Sequence, residues 1–435
     1  MAGVEVSSQP AVLGGRPAVD IPAPQWPVTG QREREWLSEL ALSGKWSWLG
    51  PHEMAFAKEY AEFIGTKYCV CLANGTVTLQ CALQALGVGP GDEVIVPGLT
   101  WVATAQAAMD VGANVVFADV DARTCCLAPE ALRAAITPKT KAVIPVHLYG
   151  CMCDMDAIME IAREHGLKVV EDAAHQQGSR WRETRAGAIG DAGSYSFQQS
   201  KILTSGEGGA VTCDDEEVYR CVFSLKQVGW APDPDNPVSF GEKPKLVRGQ
   251  RYGHNYRITE MQCALLRAGL ERLPAQNAQR EEAAAYLREK LAAMGGPLQV
   301  VERDERVTEQ AYYALTLHFD STKAEGLDRS QYVQALSAEG AEFGGGYEPA
   351  YRAGLLNLYD RTSPIPYRDR EDMQDYASLR LPNVERAVRE TLVILSHEHL
   401  LGGKDYLDEV LAGIRKANDN LGRLKEHFAA EESGA

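Results

Sequence analysis

The chain has 435 residues, 45% of them hydrophobic and 24% charged, so it is long enough to bury a large core. Its 60 acidic residues outnumber its 44 basic ones, and the net charge of −16 argues against a general nucleic-acid-binding protein. No apolar run is long enough to cross a bilayer, and the first residues lack a basic region followed by a hydrophobic block. We therefore expect a cytoplasmic protein with neither a nucleic-acid nor a membrane partner.

Ten cysteines lie mostly in apolar segments, and none forms a paired Cys-x-x-Cys array. This pattern disfavours a structural zinc site, and we expect no bound metal. It predicts buried, reduced thiols.

The first 274 residues predict an arm followed by a large α/β domain. Residues 1–30 are rich in Pro, Gly and Ala and predict an extended N-terminal arm. Over residues 31–274, strand and helix patterns alternate, which predicts a mainly parallel sheet with right-handed crossovers. The predicted helices are 31–42, 53–64, the stretch from Asn-Gly-Thr at 74–76 to 86, 101–111, 129–136, 155–165 and 216–228. The predicted strands are 68–72, 93–96, 115–118, 142–148, 168–172, 194–198 and 210–213.

The remainder predicts a smaller α+β domain over residues 275–421. A long loop is expected over 231–250, which is rich in Pro, Gly and charge and has no periodicity. A long helix follows from Thr259 to about Met294, and Pro274 is expected to kink it. The other predicted elements are a strand at 313–319, helices at 329–339 and 384–390, and a tail at 422–435 that is frayed from 426.

One stretch carries a lysine in surroundings that are unusual for a surface residue. Residues 194–209 read SYSFQQSKILTSGEGG, and Lys201 lies among small and polar residues rather than in a charged mixture. The glycines that follow allow the backbone to turn tightly and to approach a ligand. We interpret Lys201 as the anchor of pyridoxal 5′-phosphate, held as a Schiff base. An exposed loop lysine is the alternative.

Such a site also needs an acid for the pyridine nitrogen of the cofactor. Asp172 ends the predicted buried strand 168–172, where an isolated carboxylate would be costly without a cationic partner. A helix cap or a sheet-edge acid is the alternative. Three residues further on, His175 is either a hydrogen-bond partner of the cofactor's phenolic oxygen or a satisfied core histidine.

The same site needs a phosphate cradle and an aromatic face. Asn74-Gly75-Thr76 stands between a strand and a helix, so its N–H groups would point at an anion with the helix dipole behind them. An ordinary turn with a helix N-cap is the alternative. Ser196 would add a hydroxyl donor. Trp101, at another strand-to-helix junction, would cover the ring or pack in the core.

The order of these features resembles the DegT/StrS-type aminotransferases, from about Leu13 to Leu421. The matching motifs are ANGT at 73–76, VIVPGLTWVAT at 94–104, AVIPVHLYG at 142–150, EDAAH at 171–175, SFQQSKILTSGEGG at 196–209 and GHNYRITEMQCAL at 253–265. The resemblance implies the PLP-dependent transferase fold type I, which is aspartate aminotransferase-like, with a large and a smaller domain.

The resemblance also implies roles for individual residues. The family's cofactor-bearing lysine falls on Lys201, its acid for the pyridine nitrogen on Asp172, and its contact to the phenolic oxygen on His175. The remaining matches are the phosphate contacts Gly75, Thr76 and Ser196, the stacking residue Trp101, and Asn255, which in such enzymes reaches the phosphate from the partner subunit. The last match implies a homodimer with a shared active site.

Within the family, the arm LGGRPAV and the motifs SFQQSK and EDAAH are similar to the L-glutamine:scyllo-inosose branch. That branch aminates keto-cyclitols for aminoglycoside-type antibiotics. The resemblance therefore implies transfer of an amino group from L-glutamine or L-glutamate to a keto-cyclitol such as scyllo-inosose or 2-deoxy-scyllo-inosose.

Two other functions are weighed against this one. Amination of a nucleotide-linked keto-sugar needs cationic donors for a diphosphate, and the candidates are Lys243, Lys245, Arg248 and Arg251. A PLP-binding regulator without turnover would need a DNA-binding segment, and the arm is too short and not basic. The acceptor's identity depends on residues whose placement the sequence does not predict, such as Tyr347, Arg352 and His397.

Overall fold

The computed structural model describes residues 8–249, 251–356 and 374–434. The α-helices are α1 Gln31–Ser43, α2 Pro51–Ile64, α3 Gly75–Ala85, α4 Ala103–Asp110, α5 Pro129–Ala135, α6 Met155–His165, α7 Glu216–Lys226, α8 Glu260–Met294, α9 Arg329–Ala338, α10 Pro382–Arg386, α11 Gly403–Asn418 and α12 Leu421–Gly434. The strands are β1 Tyr68–Leu72, β2 Glu93–Pro97, β3 Asn114–Ala118, β4 Thr140–Val143, β5 Lys168–Asp172, β6 Arg180–Trp181, β7 Thr184–Arg185, β8 Ala192–Ser196, β9 Gly209–Cys213, β10 Trp230–Pro232, β11 Leu246–Arg248, β12 Leu298–Val300, β13 Val307–Glu309, β14 Ala314–Phe319, β15 Phe343–Gly344 and β16 Leu392–Ser396.

Seven strands form the central sheet, in the order β1-β9-β8-β5-β4-β2-β3. The five strands from β8 to β3 run parallel, whereas β9 pairs antiparallel with both β1 and β8. Every residue of β2 is buried, as expected for a sheet covered on both faces. The predicted α/β domain with a mainly parallel sheet is confirmed.

One edge of this sheet collects the residues that the sequence analysis selected. Strands β5 and β8 are parallel neighbours and end at Asp172 and Ser196. Strand β1 runs in the same direction as β8, because each pairs antiparallel with β9. Leu72 at the end of β1 therefore lies at the same edge, and Asn74 follows it. In parallel α/β sheets this carboxyl edge is where ligands bind.

A second, antiparallel sheet has the order β12-β14-β16-β15. Its core includes Leu287 and Leu291 from α8, whereas Leu266 and Leu273 of the same helix belong to the core of the central sheet. Helix α8 therefore links the two cores. The boundary that we predict at 274/275 falls inside this helix and stays a prediction.

The long helix predicted from Thr259 to about Met294 is confirmed as α8, which is continuous through Pro274, and the kink expected there stays a prediction. Two other expectations for the second half need correction. The predicted loop 231–250 has paired strands at its ends, since β10 and β11 are antiparallel, while residue 250 lies outside the described residues. The expected frayed tail is wrong: α12 places Leu424 and Phe428 in the second core, and burial of these apolar side chains stabilises the helix.

The N-terminal arm, over its described part, packs against the elements around the second sheet. The N–H groups of Ala11 and Ala18 donate to the two carboxylate oxygens of Glu339, at 2.7 and 3.0 Å. Lys416 forms an ion pair with the same buried carboxylate at 2.6 Å. Residues 1–7 of the predicted arm lie outside the described residues.

All ten cysteines are free and buried, which confirms the prediction of reduced, buried thiols. Within the described ranges, no helix combines the length and the apolar character that a membrane span requires. In the same ranges, no cluster of three or more His, Cys, Asp or Glu side chains has a geometry suited to a metal ion.

Candidate active site

A cavity of about 730 Å³ opens at the carboxyl edge of the central sheet. Tyr313, which precedes β14, and Tyr347, which follows β15, line it from the second sheet. Seven of the eight predicted site residues line this cavity, namely Gly75, Thr76, Trp101, Asp172, His175, Ser196 and Lys201. The fold thus brings together residues that are up to 126 positions apart in the chain, from Gly75 to Lys201.

Lys201 lies on the loop between β8 and β9, and only 8% of the residue is exposed. Its Nζ lies 4.5 Å from the centre of the Tyr313 ring, within the range of a cation–π contact. Burial lowers the pKa of Lys201 to about 8, although the charge of Asp172 opposes this shift. The alternative of an exposed loop lysine is therefore wrong. A buried amine that loses its proton near neutral pH can act as a nucleophile or a base.

Asp172 is buried at the end of β5 and faces the cavity. The hydroxyl of Thr104 donates to Oδ2 at 2.9 Å, and the Ala174 N–H donates to Oδ1 at 3.3 Å. Burial raises the pKa of Asp172, and the Thr104 hydrogen bond, the Ala174 bond and the charge of Lys201 oppose the rise. Asp172 is thus a buried acceptor in need of a cationic partner.

The neighbouring acid, Glu171, has a structural role. Its carboxylate accepts the N–H groups of Gly187, Ile189 and Gly190 at 2.8, 2.6 and 2.7 Å. His147 Nε2 lies 3.0 Å from the same carboxylate. Successive side chains of a strand point to opposite faces of the sheet. The Glu171 side chain therefore binds backbone N–H groups within the protein, whereas the Asp172 side chain faces the cavity.

His175 has a defined tautomer. Its Nδ1 accepts the N–H of Tyr149 at 3.1 Å, so the proton of the neutral ring is on Nε2. Nε2 lies 3.2 Å from the Tyr347 hydroxyl and donates to it. Burial, together with the charges of Lys201 and His397, holds the pKa of His175 well below its usual range. His175 therefore presents an uncharged N–H donor at the cavity.

The Asn74-Gly75-Thr76 turn starts helix α3. The Asn74 side chain caps the helix by accepting the Val77 N–H at 3.0 Å. Gly75 approaches β8 so closely that an added Cβ would lie 2.7 Å from the Ser196 Cβ. The N–H groups of the first helical turn point out of the helix end, and those of Gly75 and Thr76 do so where both residues line the cavity. The N-cap interpretation is thus confirmed, and the phosphate cradle stays a prediction with which the exposed N–H groups are compatible.

Trp101 lies at the rim of the cavity, where 59% of the residue is exposed. Its ring centre is 5.6 Å from that of Tyr347. The exposure excludes the alternative of a core tryptophan. Trp101, Tyr347 and Tyr313 together provide the aromatic surface of the cavity.

Asn255, the eighth predicted site residue, does not line this cavity. It is exposed, and its backbone forms a bridge to Gln227. Its expected contact with the partner subunit's site stays a prediction. Arg352 donates to the carbonyls of Tyr376 and Leu379 and also lies outside the cavity lining. His397 is buried behind the loop that carries Lys201.

The sequence analysis missed Tyr313, Thr100 and Thr104, and it names Tyr347 without placing it in the site. Tyr313 and Tyr347 come from the second sheet, and no local pattern joins them to the lysine loop. Thr104 lies in the first turn of α4 and Thr100 precedes that helix, and the presence of a hydroxyl on either side of Trp101 is the signal that could have identified them.

The charged side chains of the cavity are mostly acidic. Lys201 is the single Lys or Arg that lines it in the described ranges, whereas Asp110, Asp172 and Glu207 are carboxylates. None of the basic candidates for a diphosphate site lines the cavity. One of them, Lys243, donates instead to the Trp48 carbonyl, at 3.5 Å.

The chain is similar to curated proteins over nearly its whole length. It is 38% identical over 413 residues to an L-glutamine:2-deoxy-scyllo-inosose aminotransferase of Streptomyces lividus, covering 93% of this chain and 96% of that protein. It is 36% identical over 429 residues to an L-glutamine:scyllo-inosose aminotransferase of Streptomyces griseus, covering 96% and 99%.

Solved structures share the fold. A 3-amino-5-hydroxybenzoic acid synthase matches with a TM-score of 0.78 and 33% identity, covering 91% of this chain and 98% of that one. An aminotransferase from Psychrobacter cryohalolentis matches with a TM-score of 0.80 and 31% identity, covering 92% and 100%. These matches confirm the predicted fold class. The model of the DegT/DnrJ/EryC1/StrS aminotransferase family matches residues 27–414, and the chain is an aminotransferase of that family.

Proposed function

We propose that this aminotransferase carries pyridoxal 5′-phosphate on Lys201 and transfers an amino group from L-glutamine to a keto-cyclitol of the scyllo-inosose type. The observation that carries the proposal is that a buried lysine, a buried carboxylate and a helix N-terminus meet in one cavity. The names of the similar Streptomyces proteins supply the donor and the class of acceptor.

The residues of the cavity fit this cofactor. The N–H groups at the start of α3, next to the Ser196 hydroxyl, suit a phosphate, and the close approach of Gly75 keeps that space free of a side chain. Asp172 suits a protonated pyridine nitrogen, which would supply the cationic partner that a buried carboxylate needs. His175 Nε2, whose proton the Tyr347 hydroxyl accepts in this structure, would donate it to the phenolic oxygen instead. Pyridoxal phosphate would supply a carbonyl that takes up the amine and a ring that accepts electrons from the substrate carbon.

The chain's own residues would hold the cofactor and move the proton. Lys201, with its pKa lowered to about 8, would take a proton from a substrate carbon and return it at near-neutral pH. Asp172 would keep its partner nitrogen protonated through its negative charge. Trp101 and Tyr313 would limit the access of water to the reacting atoms.

The charge of the cavity favours an uncharged acceptor over a nucleotide-linked sugar. A diphosphate brings two negative charges, which require Arg or Lys donors. The described lining offers Lys201 alone, which is committed to the cofactor, and three carboxylates. The hydroxyl groups of a cyclitol can instead donate to carboxylates such as Glu207.

The proposal includes a second copy of the chain. Several large apolar side chains are exposed near Asn255, among them Val228 at 54% and Tyr252 at 86%. They are connected to the Asn255 segment, because the Val228 N–H donates to the His254 carbonyl at 3.0 Å and the Tyr252 ring contacts the His254 ring. A homodimer would cover these side chains and bring Asn255 to its partner's cavity.

An assay of amino transfer from L-glutamine tests the proposal. We expect turnover of scyllo-inosose or 2-deoxy-scyllo-inosose and little or none of a nucleotide-linked 4-keto-hexose. L-Glutamate, offered in parallel, tests the choice of donor. Lys201→Ala is the control and is expected to abolish turnover. Preference for the nucleotide-linked sugar would overturn the assignment of the acceptor.

A further inference from the structure

The loop that carries Lys201 is held by two side chains that are distant in sequence. Trp26 of the N-terminal arm donates its indole N–H to the Gln199 carbonyl at 3.2 Å. His397, which directly follows β16, has its Nε2 3.0 Å from the Ser200 carbonyl. Both acceptors immediately precede the lysine, so these bonds fix the backbone from which its side chain projects.

The partners of His397 determine where its proton lies. A guanidinium group only donates, and Arg280 Nη2 lies 3.3 Å from His397 Nδ1, so Nδ1 is the acceptor. Nε2 therefore carries the proton and donates to the Ser200 carbonyl. Burial and then the charge of Arg280 hold the pKa of His397 well below its usual range, which keeps the ring neutral.

Arg280 is an unusual residue for a position that serves packing alone. It is fully buried on α8, the described residues offer its Nε no hydrogen-bond partner, and none of them forms an ion pair with its guanidinium, although the charge of Glu398 acts on it. Its Nη1 donates to Asn277 Oδ1 at 3.1 Å, and its guanidinium carbon lies 5.3 Å from the centre of the Trp26 ring. A buried cation without a paired anion lowers the stability of the folded protein. Its presence therefore indicates a role other than stabilising the fold.

We infer that Arg280, His397 and Trp26 form a positioning unit that holds the backbone of residues 199–201 in the geometry from which Lys201 works. Arg280 sets the tautomer of His397, His397 holds the carbonyl of Ser200, and Trp26 holds the carbonyl of Gln199. None of the three lines the cavity, so they act through Lys201 and not on the substrate. This inference rests on the function proposed for Lys201.

Two substitutions of His397 separate positioning from packing. The amide nitrogen of Gln reaches the place of Nε2, so His397→Gln keeps a donor for the Ser200 carbonyl. Asn reaches only the place of Nδ1, so His397→Asn loses that bond while it stays polar and small. Both variants remove the titratable ring, which Arg280, Glu398, His399 and Lys201 face in the native protein.

The experiment compares the two variants with the native enzyme in three measurements. With the cofactor-loaded enzyme, we expect His397→Asn to lower kcat about tenfold or more at nearly unchanged KM, and His397→Gln to keep most of the turnover. In the cofactor-free protein, the pH dependence of Lys201 acetylation, followed by mass spectrometry, should give a midpoint near 8 for the native chain and for His397→Gln. The midpoint should rise for His397→Asn, because a poorly held lysine is better solvated. Thermal unfolding of both variants controls for stability.

Equal effects of the two variants on kcat would overturn the inference. So would a lower unfolding temperature of His397→Asn with an unchanged acetylation midpoint, because that combination indicates packing alone. Failure of the native enzyme to aminate a keto-cyclitol would refute the proposed acceptor, and the acetylation comparison would still decide on the positioning unit.

Discussion

The hydroxyl of Thr104 donates to Oδ2 of Asp172 at 2.9 Å, and its other neighbour is the hydroxyl of Thr100, also at 2.9 Å. Because Thr104 gives its proton to the carboxylate, Thr100 must donate to Thr104. The two hydroxyls thus form a chain that ends on the buried carboxylate. The hydrogen bond from Thr104 opposes the effect of burial on the pKa of Asp172 and favours the ionised carboxylate.

Replacing Thr104 by Val should lower kcat/KM, because the substitution changes the pKa of Asp172. Val keeps the shape of Thr and removes the donor, so the pKa of Asp172 should rise further. A hydrogen bond to a charged group contributes about 1.5–3 kcal/mol, which corresponds to roughly a 10- to 100-fold loss in kcat/KM. Steady-state kinetics with L-glutamine measures this loss, and Thr100→Val should have a smaller effect. Native kcat/KM in Thr104→Val would contradict the role of the hydroxyl.

Replacing Asp172 by Asn should stabilise the cofactor-free protein and abolish its activity. The folded-state pKa of Asp172 is raised, so the folded protein binds the proton more tightly than the unfolded chain. Its unfolding free energy therefore falls as the pH rises through the titration of this group, and Asn removes that fall. Denaturant unfolding across the acidic range measures the difference. Turnover should drop by about a hundredfold or more, because Asn cannot hold a neighbouring nitrogen protonated.

Replacing Lys201 by Met should stabilise the cofactor-free protein below about pH 8. The folded-state pKa of Lys201 is lowered from 10.5 to about 8, so below pH 8 folding buries a charged amine at a cost of roughly 3 kcal/mol. Between about pH 8 and 10.5 the unfolded lysine still binds its proton and the folded one does not, so stability of the native chain rises with pH. Urea unfolding of both proteins at several pH values should show the difference shrinking over that interval. A constant difference would mean that Lys201 titrates as an ordinary lysine.

Replacing Gly75 by Ala should weaken the binding of pyridoxal phosphate. An added Cβ would lie 2.7 Å from the Ser196 Cβ, so helix α3 or strand β8 would have to shift at the cradle. Gly89→Ala is the matched control, because a Cβ there meets no atom within 4 Å. Cofactor titration followed by absorbance should show weaker binding for Gly75→Ala only. Equal affinities would place the phosphate elsewhere.

The large domain and most of its site could be predicted from the sequence. Asp172 ends β5, Lys201 follows β8 and Gly75 follows β1, and strands that run in the same direction deliver such residues to one edge of a sheet. The alternation of strand and helix patterns, with the position of each residue after a strand, is therefore sufficient to predict that these residues lie close together. The resemblance to a known family added their roles.

The rest depends on packing between distant segments. The strand β16 and the helix α12 are defined by burial against the second core, which a local pattern does not reveal. Tyr313 and Tyr347 enter the cavity from that second sheet. Trp26 lies in an arm whose composition predicts only extension, yet its indole contacts the lysine loop. Such contacts are long-range in sequence and carry no periodic signal.

The identity of the cofactor-bearing lysine is tested most directly by borohydride reduction of the pyridoxal phosphate-loaded enzyme. Reduction fixes the cofactor on the lysine that holds it, and peptide mapping by mass spectrometry then locates the modified residue. We predict a single modified position, Lys201, and loss of the modification in Lys201→Met. Modification of another lysine, or none at saturating cofactor, would contradict the account.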